Sequence, residues 1–166
     1  MKALSRLRLK TGMRVVLLLF SMAAYGLSWG CLKENEVRSL SEQSMRQFEA
    51  RDFENWIKAY TEDHVQVLPD GKVNNYDEFV RSAKSIMMQS EQMQLSMNLA
   101  SWSCDSGKGT AEAVFRSKAL FLLERNGRKV IQKQEFRQQS YLRREGSTWL
   151  IYRTEVSDMD VSFRRV

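Results

Sequence analysis

The single proline of this 166-residue chain is Pro69, and nothing after it breaks a strand ladder. Proline lacks the N–H a sheet needs, so a proline-free stretch of nearly a hundred residues is free to be strand throughout. Four strand-length segments follow one another there, over roughly 92–103, 109–124, 129–144 and 148–160, parted by polar or glycine-containing turns. The clearest is the second. Ala111, Ala113, Phe115, Ser117, Ala119, Phe121 and Leu123 fall on one face, and Glu112, Arg116 and Lys118 on the other. Such a strand has one buried and one wet face, as antiparallel sheets do. Asn126-Gly127 and Gly146-Ser147 supply the positive-φ positions of tight hairpins, so the segments read as an antiparallel meander.

Upstream the period changes from two to 3.6. In ENEVRSLSEQSMRQFEA, from Glu34 to about Ala50, Val37, Leu40, Ser44, Met45 and Phe48 recur near helical spacing. Arg51-Asp52 ends that helix, and Asp52 is placed to cap a second, FENWIKAYTED, with Phe53, Trp56, Ile57 and Tyr60 as its stripe. A short strand HVQVL follows, stopped by the turn residues Pro69-Asp70-Gly71-Lys72. NNYDEFVRSAKSIMMQSE is the third helix, capped near Asn75 or Asp77, with Phe79, Val80, Ala83, Ile86 and Met87 on its apolar face. Helices followed by a meander pack as layers, so the fold class is α+β.

The front of the chain is of another kind. Met1 to Gly30 holds a basic start, the apolar run VVLLLFSMAAYGLSWG, and small residues Ser28 and Gly30 just before Cys31. That is the layout of a secretory signal. As a helix, Val15 to Gly30 reaches about 24 Å, short of a hydrocarbon core of roughly 30 Å. A cleaved leader therefore fits better than a permanent span, with an N-terminal membrane anchor as the alternative, and the expected division is 1–30 leader and 31–166 domain. The leader also explains the net charge of +6: five of the 26 cationic residues precede Cys31 and no acidic residue does, leaving 21 against 20 in the rest. A domain near neutrality has no phosphate-tracking surface, so nucleic acid is not an expected partner.

Cys31 directly after Gly30 opens a lipid-attachment reading, although Trp29 and Ser28 depart from the residues that motif favours. The other cysteine, Cys104, lies in SWSCDSGKG. An exported chain permits a Cys31–Cys104 disulfide, but a cysteine at a chain terminus is a poor partner for one at a strand end, and the two are expected to be unpaired. With one histidine and no cysteine cluster, neither a zinc site nor a cofactor is expected.

Three strings carry a resemblance to a known superfamily: RQFEARDFENWIKAYTEDHVQVLPDG, YDEFVRSA, and the closing hairpin YLRREGSTWLIYRTEV. Together, over about Glu36 to Val156, they resemble the nuclear transport factor 2-like superfamily in its SnoaL-like and ketosteroid-isomerase-like forms. The resemblance implies a cone: a curved antiparallel sheet wrapped around three N-terminal helices, open at one end. It does not carry over the isomerase chemistry. In the alignment on YTEDHVQVLPDG the family's carboxylate base falls on Leu68 and its tyrosine on Ser44. Leucine takes no proton, and a serine hydroxyl is too weak an acid to replace a phenol.

The remaining polar candidates are few. His64 shares an alternation face with Gln66 and Leu68, as a cavity acid–base or as an ordinary polar strand residue. If Gly146-Ser147 is a two-residue turn, Leu142 pairs with Ile151, Ser140 with Arg153 and Gln138 with Glu155, all on one face. In the resemblance that face points inward. Gln138, Ser140, Arg153 and Glu155 would then bind a polar or anionic ligand, or form a structural pair, whereas a slip of one residue would expose the charges. The function this supports is an exported, noncatalytic module of the bacterial cell envelope, periplasmic, secreted or lipid-anchored at Cys31. It would bind a small molecule or an envelope protein, with a homodimer as a further option. The alternative is a small cavity enzyme of the polyketide cyclase or isomerase type, using His64 with Glu155 or Arg153.

Overall fold

A computed structural model describes residues 30–125 and 127–166. The leader, apart from Gly30, and Asn126 lie outside the described residues.

Helix α1 spans Glu34–Glu49, and α2 is a single turn, Phe53–Trp56, continued by a 3₁₀ turn at Ile57–Ala59. Strand β1 (Tyr60–Val67) and the short β2 (Val73–Asn74) precede α3 (Tyr76–Gln89). The meander is then β3 (Ser90–Asp105), β4 (Thr110–Arg125), β5 (Arg128–Glu145) and β6 (Thr148–Arg165). The six strands form one curved sheet in the order β2-β1-β6-β5-β4-β3.

The expected α+β architecture holds, with two corrections. The second helix stops far short of Asp63. Tyr60 has already turned to φ −115°, ψ 148° and starts β1, because its ring is drawn between Trp56 and Phe79, 4.9 Å from each. The sheet is also mixed rather than wholly antiparallel, since β1 runs parallel to β6. A turn of Leu68 to Lys72 links β1 to β2, and Gly71 sits there at φ 82°, where a side chain would be strained.

Each helix is held by identifiable residues. Asn75 caps α3 by accepting from the Glu78 N–H while the Glu78 carboxylate accepts from the Asn75 N–H, the reciprocal box that satisfies two otherwise orphaned donors. Asp52 caps α2. Between α1 and α2, Arg51 adopts φ 57° and reaches back to α3, donating to the carbonyls of Met87 (3.0 Å), Ser90 (2.5 Å) and Glu91 (2.9 Å). Those carbonyls at the end of α3 would otherwise lack donors, and a cation there also suits the helix dipole. The strain at Arg51 is offset by these three bonds.

Two apolar clusters lie under the sheet. One joins Leu32 and Val37 to Ala111, Ala113, Phe115 and Leu142, with Trp102, Trp149 and Ile151 around them. The other gathers Trp56, Phe79, Ala83 and Met87 with Phe48, Phe53 and Tyr60. All seven positions assigned to the buried face of β4 lie on it: the first six are buried and Leu123 is half-buried.

Cys31 and Cys104 form a disulfide, their Cα atoms 5.6 Å apart. This corrects both expectations about Cys31. It is not a loose terminus, because Leu32 beside it is buried in the first cluster and lays the segment against β3, and its sulfur is taken, so it is not the attachment point of a lipid.

Candidate functional site

The register of β5 against β6 decides which polar groups face the interior. The hairpin begins as expected, with Glu145 opposite Thr148 across Gly146-Ser147, Gly146 at φ 61°, and Leu142 opposite Ile151. A bulge then intervenes. Tyr152 is an extra residue on β6, so Tyr141 faces Arg153, Ser140 faces Thr154, Gln139 faces Glu155 and Gln138 faces Val156. One inserted residue exchanges the faces of everything beyond it. Arg153 and Glu155 are thereby placed on the outer face, which corrects their expected inward position. There they pair with each other at 2.7 Å with side chains 43% and 34% exposed, and the Arg153 guanidinium lies 6.0 Å from the Tyr141 ring. Gln138 and Ser140 keep their inward positions, joined by a 3.0 Å hydrogen bond from the Gln138 amide to the Ser140 hydroxyl.

What the bulge turns inward is Thr154, which the sequence reading did not single out. The cross-strand partners Asn74, Gln66, Thr154 and Ser140 form a polar row across the concave face. Asn74, Thr154 and Ser140 are buried, and the Asn74 amide donates to Gln66 at 3.2 Å. Ser117, on the buried face of β4, adds another hydroxyl. Among the described residues Asn74 Oδ1, Thr154 Oγ1, Ser117 Oγ and His64 Nε2 are buried without a hydrogen-bond partner. Each such atom costs about 1–3 kcal/mol unless something meets it.

His64 is fully enclosed, with ring centroids 4.5 Å from Phe79 and 5.0 Å from Tyr60. Its Nδ1 lies 3.3 Å from the Ile151 carbonyl, an acceptor only, so the ring proton sits on Nδ1. Burial pulls its pKa down to about 4, against the opposing pull of the Ile151 carbonyl and the neighbouring Asp63 charge. At neutral pH it is an uncharged imidazole. Its adjacent carboxylate cannot serve as a catalytic partner, because Asp63 points outward to Arg143 in a bidentate pair at 2.8 and 2.9 Å, which holds it down to about 2. Ser44, at the family's tyrosine position, hydrogen-bonds to Tyr60, whose phenol burial pushes far above its ordinary range. Among the described residues no cluster of histidine, cysteine, aspartate or glutamate could hold a metal ion.

The concave face is open at the end of the sheet away from the disulfide. A groove of about 540 Å³ is lined there by Gln89, Leu123, Glu124, Val130, Gln132 and Phe163. Leu123 and Val130 are cross-strand partners, as are Gln132 and Phe163, so the groove runs over β4, β5 and β6 beside the end of α3. Its walls mix apolar side chains with two amides and one carboxylate.

A cone of one curved sheet over N-terminal helices, with a polar row inside and an open wide end, defines a cavity-type α+β domain. It is the nuclear transport factor 2-like fold, in the SnoaL-like form. No protein-family model and no curated protein sequence matches the chain. Solved structures do. A conserved protein from Planctomyces limnophilus DSM 3776 superposes with a TM-score of 0.66 at 13% identity, covering 76% of this chain and 94% of that one. A hexachlorocyclohexane dehydrochlorinase from Novosphingobium barchaimii LL02 gives 0.58 at 8% identity, covering 78% and 87%. A protein of unknown function from Mycobacterium tuberculosis gives 0.58 at 18% identity, covering 75% and 69%. Identities this low carry the fold and leave the activity to the site.

Proposed function

We propose that this chain is an exported, noncatalytic module of the bacterial cell envelope that binds a small molecule or an envelope protein at the wide end of its cone. The observation that carries this reading is the Tyr152 bulge. It separates Glu155 and Arg153 from His64, leaving an uncharged imidazole walled in by Phe79 and Tyr60, with no carboxylate facing it. Acid–base catalysis needs a group within reach of substrate and a partner to hold its proton, and neither condition is met. The disulfide supports export, because such bonds persist outside the reducing cytoplasm. The wide-end groove supports binding, since it is concave and combines apolar walls with a few hydrogen-bonding amides.

The test is mass spectrometry on the chain expressed with its own leader and recovered from envelope fractions. The reading expects an N-terminus at or close to Cys31 and a mass two hydrogens below that of the reduced thiols. An intact Met1 with two free thiols in the cytoplasm would overturn export. Hexachlorocyclohexane dehydrochlorination by the purified protein, lost in His64→Ala, would overturn the noncatalytic half.

A further inference from the structure

β6 changes character half-way along. From Thr148 to Glu155 it has β5 on one side and β1 on the other, the last β1 pairing being Val67 with Glu155. From Ser157 to Arg165 only β5 accompanies it, so along nine residues one edge carries no strand among the described residues. Every residue from Ser157 to Val166 is exposed. The segment nevertheless alternates like a strand that expects cover. Met159, Val161 and Phe163 share the concave side at 40%, 39% and 55% exposure, and Asp158, Asp160, Ser162 and Arg164 alternate with them. A free edge of this length offers unpaired N–H and C=O groups to another strand.

The geometry points to a second copy of this chain as the occupant, its β6 pairing antiparallel to this one about a two-fold axis at Val161. The charge order selects the direction. The segment is acidic at its start (Asp158, Asp160) and basic at its end (Arg164, Arg165), so a parallel copy would set like charge against like and an antiparallel one sets acid against base. Face selects the register. Across one continuous sheet a concave residue must meet a concave residue, and a centre at Val161 matches Met159 with Phe163, Val161 with itself, and Asp158 with Arg164. No apolar side chain is then set against a charge. Each copy's β1 stops at its own Glu155, before the new pairing begins, so the two short strands do not contest the edge. An isologous contact of this kind closes on itself and ends as a dimer. It does not depend on what the wide-end groove binds.

Cysteine scanning on the full chain purified from the envelope tests this, read by non-reducing electrophoresis and sedimentation velocity. The wild type is expected to sediment as a dimer at tens of micromolar. Val161→Cys is expected to cross-link to itself under mild oxidation and Ser162→Cys not to, since Ser162 faces Asp160 in this register. Val161→Lys sets two ammonium groups at the axis and is expected to leave a monomer with unchanged circular dichroism. A monomeric wild type, a dimer that survives Val161→Lys, or cross-linking through Ser162 in place of Val161 would each overturn the proposal.

Discussion

At β3, the last strand of the sheet on one side, the edge is closed. Helix α1 packs along β3, the Glu49 carboxylate accepts the Leu95 backbone N–H at 2.5 Å, and the disulfide ties Cys104 to the segment leading into α1. Along the second half of β6 nothing comparable is present among the described residues, although the strand there is as long and more apolar on its inner side. A fold that covers one edge with a helix, a carboxylate and a covalent bond, and leaves another bare, has spent its stabilising contacts unevenly. The covered region is where substitutions should cost stability. The bare region is where they should alter association instead.

The largest effect belongs to the disulfide. It closes a loop of 73 residues, and cross-linking a loop of that length restricts the unfolded chain by about 4 kcal/mol. Replacing Cys31 and Cys104 by serine should lower the guanidinium unfolding midpoint accordingly, and a reductant should do the same to the wild type. A midpoint that ignores both treatments would show that α1 needs no covalent help to cover β3.

His64 comes next, through pH. Its folded pKa of about 4 lies below the ordinary 6.5, so the unfolded chain takes up a proton that the folded chain refuses. Stability is therefore complete above about 6.5 and falls by about 1.4 kcal/mol per pH unit as acid brings the solution down toward 4, about 3 kcal/mol in all. His64→Phe, which keeps a ring between Tyr60 and Phe79, should flatten that slope. Unfolding curves at several pH values from 7.5 to 4.5 would show it, and an equal slope in the variant would move the acid sensitivity elsewhere. Arg51→Met follows, at about 1–3 kcal/mol, because it strips the carbonyls of Met87, Ser90 and Glu91 of their donor while keeping the side chain's bulk. Chemical denaturation reads this directly.

These effects fall on features the sequence discloses to different degrees. The meander was legible because β4 keeps strict alternation over sixteen residues, and α3 because Asn75 and Glu78 write its cap explicitly. The end of α2 was not, since Tyr60 continues the helical stripe of Phe53, Trp56 and Ile57, and only its packing against Phe79 turns it into strand. The site was lost at one residue. The sequence TWLIYRTEV gives no glycine or proline at Tyr152 to announce a bulge, so uninterrupted alternation carried Arg153 and Glu155 inward and left Thr154 unnoticed. Cys31 was misjudged for a related reason. Its partner was evident, but the burial of Leu32, which brings the terminus to β3, depends on a core assembled from four other elements.

Val161→Lys should give the smallest change in monomer stability, and it divides the two regions most cleanly. Val161 is already 39% exposed and has no strand neighbour on its free side, so unfolding followed at submicromolar concentration should shift by less than about 0.5 kcal/mol. Surface positions that serve only the monomer behave that way, and so would an edge strand kept open for a partner. The distinction appears on concentration, because a contact formed only in the folded pair stabilises the wild type by mass action and leaves the variant unmoved. A wild-type midpoint that climbs with protein concentration, beside a variant midpoint that stays level, would assign the bare half of β6 to association. Two level midpoints would make it the cheaper edge of a monomer, guarded only by Asp158, Asp160 and the arginines that follow.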